Sequence, residues 1–582
     1  MPVPLRIAAV LAALLTFNIV RVAGEPAKRE IEEPIPSRVI LVRDYGAIPD
    51  DDTCDAAAVR EAVTDACKEG GTDLAFEAGT YNFKKDIFRP GTRNYFIINI
   101  KDTQHVGLRG RKTAAGAPAT AFEINLPLKN HIDSPGHIGI LDSRHIRVSN
   151  IALDYAPRFT SAGEVLSVDR DRNKVRVRIL DGMPHFDGMK CYSANGWDMR
   201  NRTLLALPAF TIGKNKAYFA NTWHRAGNRS DVQYEIQNMP FVEYARPGQG
   251  ISWHFSVNSG SPNLYIERSR SVTFENVHIR SAVRQACLAG FNHDLTFTKV
   301  RIAPEGNALA VGPRDGYLLA NNAGSMHFDS CFIKGVRWDP INLRSSFCHV
   351  TNVVNETSLR FLMKRREVLE FPPGEGVVFW AGDRPQERRV GRPRHVGEKG
   401  GYPVYLLKCE KSLPREVREG SLFSPLAWIL DDAVVENSIF ESNCGTGLLV
   451  QNENVRIENN RFRHNSYAAV ALGPVNGFAG GFARNVVIRG NHFSTSVWIN
   501  KHGVQDGAVS TYQSVDSSLS AAPHNRNIVI ENNVFSDLEF PGGGAAISIR
   551  NAQDVLIRNN RFRDCAENVR IEKKSTRNLI LK

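Results

Sequence analysis

The sequence predicts an all-β chain wound as a parallel β-helix, with a capping helix near its start and two small β modules let into the coils. Three observations carry that prediction. A short pattern recurs: "VTFENVHI" (272–279), "LTFTKVRI" (295–302), "MHFDSCFI" (326–333), "AVVENSIF" (433–440), "VRIENNRF" (455–462), "VVIRGNHF" (486–493), "IVIENNVF" (528–535) and "VLIRNNRF" (555–562), with an earlier copy, "IRVSNIAL", at 146–153. Within a copy the apolar residues alternate, Val455 and Ile457 against Arg456 and Glu458, the period of a strand with one buried face. The closest copies start 22 to 23 residues apart (433 to 455, 272 to 295), the length of one solenoid coil. One coil cannot bury its apolar face alone; stacked coils bury a continuous column.

The elements follow in order. Residues 1–24 read as a secretory signal: Arg6 precedes "IAAVLAALLTFNIV", which is short for a membrane span, and "VAG" at 22–24 supplies small residues for cleavage. The mature chain is expected to be secreted or periplasmic, with no membrane span. Residues 25–100 form the N-terminal cap and first coil. Here a helix carries the stripe Val59, Ala62, Val63, Ala66 and Cys67, with Asp52 or Thr53 to cap it. Such a helix closes the open end of a β-helix and shields its edge strands. Coils follow at 101–159. Residues 160–262 break the repeat with "EVLSVDRDRNKVRVRIL", two strands about a charged turn, and read as an inserted β module. Central coils at 263–360 hold the candidate site. A second module occupies 361–428, with "EGVVFW" and "YPVYLLKCEKSLP", and coils resume at 429–582. Asn459–Asn460, Asn532–Asn533 and Asn559–Asn560 fill a turn where asparagine tolerates left-handed geometry, and the closing Phe returns inward.

The chain of 582 residues exceeds what one ordinary core takes, which fits a repeat architecture. A formal charge of +12 over this length suits a generally basic surface, or a polyanionic substrate such as a sulfated or uronic polysaccharide. No nucleic-acid motif and no dense basic tract is present, so nucleic acid is not an expected partner. Nothing in the sequence sets an oligomeric state. The nine cysteines form no CxxC pair, which argues against a zinc site. Export permits disulfides, and Cys54 with Cys67 is one possible pair. Cys287, Cys331 and Cys444 lie in repeat segments and are expected to fill the core.

Asp315 precedes "GYLL" and Asp339 precedes "PINL", 24 residues on. Stacking sets them side by side on successive coils. The equivalent places are Gln285 one coil earlier and Gly445–Thr446 later, so the column is acidic only in its middle. Two close carboxylates resist joint ionisation, and one pKa rises. Glycosidic cleavage needs such a pair: an acid protonates the leaving oxygen and a base activates water. The alternative role for each Asp is to cap a turn through backbone N–H groups. Trp338 offers a face for sugar stacking or corner packing. Arg314, Asn342 and Arg344 suit sugar hydroxyls or an oxyanion. Glu305 and Asp294 are reserve acids, and His327, within a strand motif, is read as structural.

These features resemble glycoside hydrolase family 110, exo-acting α-1,3-galactosidases built on a right-handed parallel β-helix with small β-barrel insertions. The likeness runs over roughly residues 39–565, through "RDYGAIPDD", "RQACLAGFNHDLTFTKVRI", the acidic stretch and "GLLVQNENVRIENNRF". It implies Asp315 as the family's first acid and Asp339 as the second of its consecutive acids. Trp338 stands at the first of that pair, Leu318 at a family histidine, and Asn342 at the family asparagine. Leu343, Arg344 and Ser345 replace Val-His-Gly. The resemblance implies an inverting glycoside hydrolase of galactose-containing or related glycans, with Asp315 and Asp339 catalytic, Trp338, Asn342, Arg314 and Arg344 binding, and no metal or cofactor. A lyase or epimerase of uronate glycans, aided by calcium, and a non-catalytic glycan-binding protein are the other readings that the residues permit.

Overall fold

Alternating apolar residues close three parallel sheets of 13, 11 and 11 strands around one lumen, the parallel β-helix expected. The computed structural model describes residues 37–582 except 85–86, 88, 90–93, 129–132, 208–219, 228–231, 257–259, 364–373, 476–478, 500–504, 514–522 and 541–542. The signal segment read at 1–24 lies outside the described residues.

Strand register runs without slip through the recurring motif. Val455 pairs with Ala433 before it and Val486 after it, so every copy presents the same side chains inward. At the motif's corner the first Asn takes the left-handed conformation, with φ of 56° at Asn459 and Asn532 and 54° at Asn559. The second Asn is buried and builds a ladder. Asn491 Oδ1 accepts the backbone N–H of Asn460 at 2.9 Å, Asn533 Oδ1 that of Asn491 at 2.9 Å, and Asn560 Oδ1 that of Asn533 at 3.0 Å. Their amide nitrogens donate to the carbonyls of Val435, Ile457 and Ile488. The chain can therefore turn a buried corner without orphaned polar groups. The returning Phe forms a second ladder: rings of Phe440, Phe462, Phe493, Phe535 and Phe562 stack at 4.6, 5.1, 4.9 and 5.3 Å.

The helix Ala56–Glu69 buries Val59, Ala62, Val63 and Ala66 over the first coils. Its N-cap is Asp55, not Asp52 or Thr53. The Asp55 carboxylate leaves the helix unserved and accepts the N–H groups of Ile48 at 3.1 Å and Asn82 at 2.7 Å, tying loop to strand. Burial pushes this carboxyl up to about 6.

Two antiparallel sheets interrupt the coils. The first has eight strands, from Thr160–Asp169 to Gly250–His254, and Asn221 on one edge strand donates to the Gln237 carbonyl of the strand next to the far edge, curling the sheet on itself. The second has seven, and a bridge between Val390 and Cys409 closes it in the same way. It starts at Cys348–Asn355, ahead of the boundary at 361 read from the sequence, and ends at Leu422–Pro425. "CHVT" alternates buried and half-buried residues as a coil strand would, but pairs antiparallel with Ser358–Leu362. Cys54 and Cys67 stand as thiols rather than as a pair; Cys54 Sγ accepts the Lys84 N–H at 3.2 Å. Cys287, Cys331 and Cys444 are buried in the core.

Candidate active site

The strands Tyr317–Ala320 and Ile341–Arg344 are neighbours in one 11-stranded sheet, with Leu318 opposite Asn342 and Ala320 opposite Arg344. Tyr317, Leu319, Ile341 and Leu343 fill the lumen, which leaves Leu318, Asn342 and Arg344 on the outer face. Just before these strands the Gly316 N–H donates to the Asp339 carbonyl at 3.0 Å, and the Ala286 N–H to the Asp315 carbonyl at 3.1 Å. Gln285, Asp315 and Asp339 thus stand at one position on three successive coils, about 4.8 Å apart by strand spacing. The next strand, Leu448–Gln451, brings Thr446 to the same place.

Both carboxylates are nearly covered, Asp315 at 2% exposure and Asp339 at 4%. Asp339 Oδ1 accepts the Thr446 N–H at 2.8 Å, which draws this carboxylate toward the following coil. The Thr446 hydroxyl donates to Gln505 Oε1 at 2.8 Å, and Gln505 Nε2 donates to the Tyr512 hydroxyl at 3.2 Å. Tyr512 and Tyr467 flank this network. Burial, reinforced by the Asp339 charge, pushes both phenols well above their ordinary range. On the other side, Arg314 Nε lies 3.9 Å from Asp315 Oδ2, and its guanidinium sits 5.6 Å from the centre of the Trp338 ring. Arg314, Trp338 and Asn342 are half-buried. The predicted Asp315, Asp339, Arg314, Trp338 and Asn342 are therefore drawn together. Arg344 lies at the far end of the strand, 3% exposed.

The two inserted modules flank this face. From the first, Asn195 Oδ1 accepts from the wholly buried Arg337 and from the Cys444 thiol at 2.9 Å, and the Leu204 N–H donates to Ser442 Oγ at 3.2 Å. From the second, Trp380 packs edge-on against Phe482 at 5.0 Å, while Phe347, at its root, meets Phe482 at 5.3 Å. One module docks before the strands and the other after them.

The reserve acids lie elsewhere and are engaged. Glu305 pairs with Arg280 at 2.6 Å, Asp294 Oδ1 accepts the Ser325 N–H at 2.9 Å, and His327 meets Glu436 at 2.9 Å. Thr446, Gln505, Tyr467 and Tyr512 join these residues in the structure without a site motif of their own in the sequence. Only Thr446 carried a signal, its place in the coil column; the rest arrive from later coils and loops. Among the described residues, no group of three or more His, Cys, Asp or Glu is placed to hold a metal ion, and no helix is long and apolar enough to cross a membrane.

No family model matches the sequence. Among curated proteins, α-1,3-galactosidase B of Akkermansia muciniphila is 21% identical over 532 residues, covering 86% of this chain and 64% of that protein. The chain thus spans less than two thirds of that relative's length. α-1,3-Galactosidase B of Bacteroides thetaiotaomicron is 23% identical over 542 residues, 87% of this chain and 83% of that one. α-1,3-Galactosidase A of Bacteroides fragilis (strain YCH46) is 20% identical over 562 residues, 90% and 86%. Among solved structures, the A-module of mannuronan C-5 epimerase AlgE4 of Azotobacter vinelandii aligns with a TM-score of 0.41 at 13% identity, over 93% of this chain and 99% of that one. The family 28 exopolygalacturonase of Yersinia enterocolitica aligns at 0.42 and 13%, over 93% and 78%. The strand register described above defines the fold by itself, and the sequence comparisons show a distant similarity, at 20–23% identity, to proteins named as α-1,3-galactosidases.

Proposed function

We propose that the protein is an exported glycoside hydrolase that cleaves terminal galactose-type or related linkages with Asp315 and Asp339 as its acid–base pair. The observation that carries this reading is the placement of the two carboxylates at one position on successive coils, between two docked modules. The curated relatives, each named as an α-1,3-galactosidase, support the reaction class.

Inversion needs a water between the carboxylates, which a gap of roughly 6.5–9.5 Å admits. Coil spacing alone sets about 4.8 Å. The Thr446 N–H draws Asp339 away from Asp315 and so favours the wider gap. In this mechanism one carboxyl protonates the leaving oxygen and the other takes a proton from the attacking water. Trp338 and Asn342 would hold the sugar over Leu318, with Arg314 fixed against the Trp338 ring. This chemistry calls for no metal.

The test is a digest of a broad glycan panel, with and without EDTA, followed by NMR of the first-formed anomer. The expected result is a released sugar of inverted configuration, insensitive to EDTA. An unsaturated, ultraviolet-absorbing product that EDTA abolishes would replace this reading with the lyase. Glycan binding without release would replace it with a binding protein.

A further inference from the structure

Arg344 has an unusual setting for a cation. It is 3% exposed, its Nε has no hydrogen-bond partner, and no carboxylate lies within ion-pair distance among the described residues. Its neighbours along the coil column do not serve it. Ala320 precedes it and has no polar side chain. Gln451 follows it, but donates through Nε2 to Asn342 Oδ1 at 3.3 Å and accepts the Val475 N–H at 3.1 Å. Ser346 Oγ, two residues on, is also buried without a partner. A guanidinium in that position is costly unless an anion completes it.

We propose that Arg344 is the oxyanion subsite of an acidic glycan, and that the substrate carries a carboxylate or sulfate on a sugar other than the one cleaved. This rests on the glycosidase reading above. Five residues of extended chain separate Arg344 from Asp339, roughly 16 Å at most. The charged group therefore lies beyond the reacting sugar along the strand. The planar fork of arginine suits carboxylate and sulfate alike, with two parallel N–H···O bonds. Two further arginines, Arg284 and Arg314, hold equivalent places on successive coils ahead of these strands, since Leu288 pairs with Leu318, and Arg314 lies 3.9 Å from Asp315.

Binding of three trisaccharides to the full chain tests this by calorimetry: a neutral galactose trisaccharide, one ending in galacturonate, and one bearing a sulfated galactose. The expected result is at least about 10-fold tighter binding of one or both anionic probes, weakening as salt rises from 0.05 to about 0.5 M. The two anionic arms tell carboxylate from sulfate. Arg344→Gln removes the preference, and Arg344→Lys keeps part of it. The wild-type comparison stands even if a variant fails to fold. Equal binding of all three probes, or a preference that persists in Arg344→Gln, overturns the proposal. Anionic preference with no sugar released from the panel leaves it standing and sinks the hydrolase reading. Release from neutral glycans with no anionic preference does the reverse.

Discussion

Asp339 accepts the Thr446 backbone N–H, a contact that suits a turn cap as well as an oriented catalytic carboxylate. Asp339→Asn and Asp315→Asn keep the shape of each side chain while removing its proton chemistry. Each is expected to lower kcat by 10³-fold or more, with a melting temperature within a few degrees of wild type. Full activity in either variant would show that the carboxylates only cap turns. Thr446→Ala keeps the N–H but cuts the link to Gln505; a loss of about 10-fold in kcat is expected, read by initial rates. Asp315 and Asp339 were legible in the sequence because a fixed interval between like residues survives translation into coil stacking. The anchoring of Asp339 was not, because Thr446 is 107 residues away in sequence and Gln505, which holds Thr446, lies further still. No local pattern records such a meeting.

The recurring motif works as an element because its two ladders enforce one another. A buried Asn amide fixes the corner, and the stacked Phe two places on fixes what the corner buries. Asn491→Ala would strip an acceptor from Asn460 and a donor from Ile457, at a cost of about 3 kcal/mol. Phe493→Ala would open a cavity between Phe462 and Phe535, at a cost of about 3–5 kcal/mol. Denaturant titration measures both, and an effect under about 1 kcal/mol for either would contradict the ladder account. This element was the most legible part of the chain, since period two and a recurring Asn-Asn pair state the strand and its corner directly. The second module starts at Cys348, ahead of the boundary that the pattern suggests, for the converse reason. "CHVT" has the same alternation as a coil strand, and alternation does not distinguish a parallel partner from an antiparallel one. The cap of the first helix was missed because Asp55 spends its carboxylate on the neighbouring strand.

At the scale of the whole molecule, buried histidines set the response to acid. Burial holds His137, His278 and His524 down at about 4, against an unfolded value near 6.5. A depressed folded pKa means that the stability from each neutral ring is complete above pH 6.5 and drains as pH falls toward 4. Each contributes on the order of 3 kcal/mol at most. Asp55 runs the other way: its raised carboxyl favours the fold as pH drops from about 6 to 3.8. Burial also lowers His254 and raises Glu123 and Glu453, so four buried rings oppose three carboxyls, and the melting temperature should fall between pH 6.5 and 4. His278→Gln should flatten part of that slope, and a melting temperature constant over this range would refute the assignment. The stacked register has a further consequence for how such a chain can lengthen or shorten. Ser438 and Asn443 meet Asn460 and Asn465 at a separation of 22 residues in both cases. Excising one such span would rejoin equivalent corners, whereas excising one residue more or fewer would turn phenylalanines toward water. Viable insertions and deletions within the coils are therefore quantised in whole windings, and only the exposed connections can drift residue by residue.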